Sequence, residues 1–163
     1  MQEISTFGEL KKSGYNPQTV KEEIRSNLIR QISSKQNPFE GIYGYDYTVI
    51  PELQQALLAK HNIIFLGLRG QAKTRLARML TNLLDEFIPV VKDTPLNENP
   101  FQPISTVTRQ KLSEMGDETP IEWIHRSERY VEKLATPDVS VADLIGDMDP
   151  IKAANMGLSY ADE

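Results

Sequence analysis

Hydrophobic positions along the chain recur at two spacings, and the elements follow from them. In "NPQTVKEEIRSNLIRQI" a proline and a capping residue precede Val20, Ile24, Leu28 and Ile32, which fall on one helical face. The other side carries Lys21, Glu22, Glu23, Arg25 and Arg30, read as a solvated face. "SSKQNPFEGIYGYDY" breaks the period with Ser, Asn, Pro and Gly and reads as a loop. A second helix is expected from Val49 or Pro51 to about Lys60, on Leu53, Ala56, Leu57 and Leu58, ended by His61 and Asn62. Pro51 suits a first turn, where its missing N–H needs no partner.

Ile63 to Leu66 is apolar without alternation, the pattern of a parallel strand covered on both faces. From Thr74 a helical stripe of Leu76, Leu80, Leu83, Leu84 and Phe87 runs to Pro89. Pro95, Pro100 and Pro103 make "VVKDTPLNENPFQPIST" an irregular surface excursion. Ser105 is placed to cap a helix to about Met115, with Gly116 ending it. In the more ambiguous stretch beyond, a strand is expected near Tyr130 to Ala135 and a short helix from Val141 to Ile145.

Between the apolar run and its helix stands "GLRGQAKT". Successive N–H groups of a tight loop, continued by those of the next helix, make a concave anion site. Gly67 leaves the strand, Gly70 lets backbone approach phosphate, Lys73 reaches β and γ oxygens, and Thr74 is placed for Mg²⁺. The strict pattern has a second glycine where Ala72 stands. A Cβ there costs about 1–2 kcal/mol if the residue is left-handed and almost nothing at helical angles, so a negative φ is expected at Ala72, and a positive one would undercut the phosphate-loop assignment. The alternative is a plain turn at Gly67 and Gly70, with Lys73 a solvated helix end.

Composition narrows the possibilities. A 163-residue chain that is 39% hydrophobic can build one core. A formal net charge of -5 argues against a polyanion-binding surface, so no nucleic-acid partner is expected. The absence of cysteine excludes disulfides and thiolate metal sites. "MQEISTFGELKK" has neither the basic start nor the apolar centre of a signal peptide, and no apolar run nears the roughly 18 residues of a membrane helix. The protein is expected to be soluble and cytoplasmic, with no membrane partner.

"GYDYTVIPELQQALLAKHNIIFLGLRGQAKTRLARML" and "TPIEWIHRSERYVEKLATPDVSVADLIGDMDPIK" resemble the N-terminal part of the magnesium chelatase-like AAA+ ATPases, relatives of the chelatase ATPase subunit and the MoxR-type ATPases. The likeness runs from about Ser13 to the C-terminus and is carried by the loop, "EKLATPD" and "DLIG". In that group alanine before the lysine is the familiar form. The resemblance implies a Walker A loop over Gly67, Gly70, Gln71, Ala72, Lys73, Thr74 and Arg75, with Lys73 on the phosphates and Thr74 on Mg²⁺. It further implies that the "GIYGYD" stretch, Ile42, Tyr43 and Gly44 above all, lines an adenine pocket. The Walker B acids, sensor and arginine finger of such proteins have no counterpart here, so a fragment is expected, with negligible hydrolysis alone and no catalytic residue of its own.

Other residues carry less. His125, with Trp123, Glu122 and Glu128 nearby, matches no zinc spacing and reads as a solvated or capping histidine. Asp143, Asp147 and Asp149 are spaced wrongly for an EF-hand, and Ser105, Ser113 and Ser127 have no recognisable base. The expectation is an α/β chain: a helical segment over 1–38, then over 39–163 part of a P-loop AAA+ parallel sheet with flanking helices, truncated before Walker B. It would bind ATP and Mg²⁺, the whole protein forming a homo-oligomeric ring that couples hydrolysis to metal insertion or protein remodelling. The competing class is a non-catalytic interaction module using the Pro-rich excursion for docking; a P-loop kinase is a weaker alternative.

Overall fold

A computed structural model describes residues 4–94, 96–134 and 136–146. They divide into two compact units, Met1–Tyr130 and Val131–Glu163. The first opens with α1 (Phe7–Lys12), where Thr6 and Glu9 cap each other reciprocally. Beside it, Phe7 N donates to Thr119 O (2.9 Å) and Ile121 N to Ser5 O (2.9 Å), fastening the N-terminal segment to the later strand.

Helix α2 (Val20–Ser33) forms as its periodicity predicts, with Thr19 and Glu22 as the capping box. Its burial differs from the expected face. Leu28 is buried and Ile24 packs on the core, but Val20 and Ile32 are exposed, and Glu23 and Asn27 take their place inside. Glu23, expected in solvent, is 3% exposed. It accepts two bonds from Arg129 (2.6 Å each) and one from Asp85 N (2.6 Å). Asn27 Nδ2 donates to Leu83 O and Asp85 Oδ1, both at 2.9 Å.

Helix α3 (Val49–Leu58) buries Ile50, Leu53 and Leu57, and ends where Lys60 turns left-handed (φ 59°). Helix α4 (Lys73–Met79) tightens into a 3-10 turn over Leu80–Leu83. Leu28, Phe39, Ile42, Ile50, Leu53, Leu57, Leu76 and Leu83 make one core. The helix does not reach Phe87. Leu84 goes extended (ψ 152°), the bonds from Glu23 and Asn27 hold 83–85 out of the helix, and β1 (Phe87–Val91) begins.

Strand β1 pairs antiparallel with β2 (Ile121–His125), which sequence reading missed. Pro89 sits opposite Trp123; in a two-stranded sheet each strand keeps one unpaired edge where proline costs no ladder bond. Among the described residues this pair is the whole sheet, and no parallel pairing forms. Helix α5 (Thr106–Met115) starts on Ser105 and stops at Gly116, as expected. The Pro-rich excursion before it turns inward: Glu98 and Pro100 are buried. Glu98 accepts bonds from Ile104 N, Ser105 N (2.9 Å), Ser105 Oγ and Thr108 Oγ1 (2.8 Å). Burial would raise its pKa, but the bonds from Ser105, Ile104 and Thr108 outweigh that and hold it at about 2.

His125 does cap, its side chain accepting from Ser127 N at the 3-10 turn Arg126–Arg129. In the second unit residues 131–134 form no strand, contrary to expectation, and the expected Ala135 lies outside the described residues. The short helix is present as α6 (Ala142–Ile145), with Asp143 bonded to Ser140 N (2.9 Å). Asp147 and Asp149 also lie outside the described residues. No described helix is long and apolar enough to cross a membrane.

Candidate functional site

The run ahead of the glycine loop is not a strand. Ile63 and Phe65 pack against the core, whereas Ile64 and Leu66 are 82% and 89% exposed. That period of two is the alternation of extended chain. What is missing is pairing: among the described residues no main-chain hydrogen bond involves residues 62–66. One face is covered rather than the two expected, and Leu68 beyond is 78% exposed.

The loop that follows is shaped by residues with positive φ. Gly67 has φ 149°, and a Cβ there would fall 2.1 Å from Gln71 Oε1, so the side chain of Gln71 lies across it. Gly70 (φ 81°) and Ala72 (φ 54°) are left-handed. Ala72 was expected at negative φ, and that expectation is wrong. The loop holds this position in the glycine conformation although alanine occupies it, at about 1–2 kcal/mol of backbone strain. Gln71 between them is not left-handed, so handedness alternates through 70–72. Where right- and left-handed residues alternate, successive N–H groups turn toward one side.

Helix α4 begins at Lys73 without a side-chain cap. Its first turn closes with Leu76 N donating to Ala72 O (2.9 Å). From Gly70 to Arg75 no N–H is bonded to another described residue. Lys73 is half-buried, and its ammonium turns back to donate to Gly67 O (2.9 Å) and Leu68 O. Thr74 and Arg75 are exposed. A Cβ on Gly41 would lie 2.8 Å from Arg75 Nη2, so the "GIYGYD" turn runs beside the loop.

The three residues expected around adenine do not share one environment. Ile42 is in the core, Tyr43 is 86% exposed, and Gly44 is exposed with φ 81°. A cavity of about 350 Å³ adjoins the loop instead at Tyr45, Val49, Glu52, Phe65, Gln71 and Lys73. Tyr45 Oη donates to Gln71 O (3.4 Å), tying the turn to the loop. Tyr45 lies within the "GIYGYD" stretch expected to line adenine, whereas sequence reading passed over Glu52, which sits on a helix face that reads as solvated. Among the described residues no group of three or more His, Cys, Asp or Glu is arranged to hold a metal.

Lys73 and Thr74 have the donor chemistry that a nucleotide's phosphates and a magnesium ion require, an ammonium beside unbonded amides and an exposed hydroxyl. No protein family, no curated protein and no solved structure matches the chain.

Proposed function

We propose that the loop from Gly67 to Arg75 binds the phosphates of ATP with Mg²⁺, as a Walker A element. One observation carries the proposal: the N–H groups from Gly70 to Arg75 are unbonded within the described residues, lie on alternating backbone, and accompany the Lys73 ammonium. Lys73 would take β and γ oxygens as a point charge, and Thr74 would offer its hydroxyl to the magnesium ion. The bound ion supplies charge neutralisation along the phosphates. Gly67 and Gly70 keep the wall thin, and the cavity at Tyr45 and Val49 is the nearest space for a base.

The left-handed Ala72 counts against this reading, which expected helical angles there. The wider reading is the N-terminal part of a magnesium chelatase-like, MoxR-type AAA+ ATPase, whose complete ring would couple hydrolysis to metal insertion or protein remodelling. It rests on the sequence likeness alone. No residue of this chain takes a catalytic role in it. Titration calorimetry of ATP with Mg²⁺ tests the core of the proposal: binding by the wild type and at least about tenfold loss in Lys73→Ala, the size of one charge-assisted contact of about 1.4 kcal/mol or more. Equal affinity in the two proteins would sink it.

A second reading, a non-catalytic interaction module, is favoured by the exposed Ile64, Leu66 and Leu68 beside unpaired main chain, an arrangement that an added strand could cover. The Pro-rich excursion, the docking surface expected for such a module, is in part committed to packing through Glu98 and Pro100.

A further inference from the structure

The loop is closed on itself. Two of the three donors of the Lys73 ammonium go to Gly67 O and Leu68 O, both at the entry of the loop. Over the same residue lies the Gln71 carboxamide, whose oxygen would be 2.1 Å from a Cβ on Gly67. Gln71 is held from behind, where Tyr45 Oη reaches its carbonyl (3.4 Å). Its carboxamide is exposed and has no hydrogen bond to another described residue, and it stands over the equally exposed Gly67.

We infer that the Gln71 side chain is a plug: with the Lys73 ammonium it fills the mouth of the loop in the ligand-free protein, and an incoming polyphosphate must displace both. The inference rests on the phosphate-binding reading. An anion recruits the ammonium only by breaking its bonds to Gly67 O and Leu68 O. The carboxamide oxygen, a partial negative charge over the same glycine, opposes the approach of phosphate oxygens until it swings out. Apparent affinity is then the intrinsic affinity scaled by the unplugged fraction. The Gln71 side chain would set that fraction without touching the bound anion, its N–H remaining among the amides that hold the phosphates.

Pyrophosphate and, separately, ATP with Mg²⁺ are titrated into the full chain as wild type, Gln71→Ala and Lys73→Ala. The expected result is roughly three- to tenfold tighter binding of both probes by Gln71→Ala and at least about tenfold weaker binding by Lys73→Ala. Amide hydrogen exchange at residues 67–70 in the free protein should also quicken in Gln71→Ala. Equal or weaker binding by Gln71→Ala, with binding still weakened in Lys73→Ala, overturns the plug and leaves the phosphate reading standing. No binding by any of the three proteins overturns that reading and the plug with it.

Discussion

Ala72 is the residue whose conformation and chemistry disagree most openly. Its φ of 54° is one that a Cβ resists. Ala72→Gly should therefore raise unfolding free energy by about 1 kcal/mol, whereas Ala72→Val should lower it; urea titration reads both. Glu23 and Arg129 pose the opposite case, a buried pair with two matched bonds. The bonds that Arg129 donates to Glu23 raise its pKa. Removing the cation alone strands a buried carboxylate, so Arg129→Ala should cost about 3–5 kcal/mol, and the double replacement Glu23→Leu with Arg129→Leu much less. Neither residue advertises this in sequence. Glu23 lies in a run of charges on a helix, and its partner is 106 positions away. Likewise the handedness at Ala72 is imposed by the closed loop, and no local propensity would announce it.

At the level of elements, the helices from Val20 and Val49 were legible because a 3.6-residue period and their end signals agree, and the helix from Thr106 from its end signals Ser105 and Gly116 alone. The stripe from Leu76 to Phe87 misled because its last member belongs to a strand, and the switch is made by side chains of α2. Strand β2 was hidden for a related reason: Ile121–His125 is half-covered by a segment far earlier in the chain, with Trp123 Nε1 donating to Ile4 O (3.0 Å). Helix α5 owes its start to more than Ser105. Glu98 collects the amides of Ile104 and Ser105 as well as the Ser105 and Thr108 hydroxyls. Its pKa lies below that of the unfolded chain, so its contribution is complete above about pH 4.5 and is lost as pH falls toward about 2. Glu98→Gln should flatten the acid limb of a stability–pH curve between those values and destabilise at neutral pH by about 2 kcal/mol, as followed by circular dichroism.

For the molecule as a whole, the candidate site was legible as a loop and illegible as a setting. "GLRGQAKT" places glycine and lysine correctly, but the sheet expected around it does not form among the described residues. A sheet requires partners distant in sequence, and an apolar run specifies that it can be buried, not by what. Ile64, Leu66 and Leu68 accordingly face outward. Ile64→Lys should change unfolding free energy by no more than about 0.5 kcal/mol, as for an ordinary surface position; a larger loss in thermal denaturation would mean that other protein covers the side chain in solution.

The clasp between Glu23 and Arg129 closes one position before the first unit ends at Tyr130. The tail of that unit is thus stitched to a helix near its beginning, and where the chain is cut should matter to the residue. A protein shortened to stop after Tyr130 keeps the stitch; one shortened to stop after Glu128 leaves the Glu23 carboxylate buried without its counter-charge and should melt at a distinctly lower temperature.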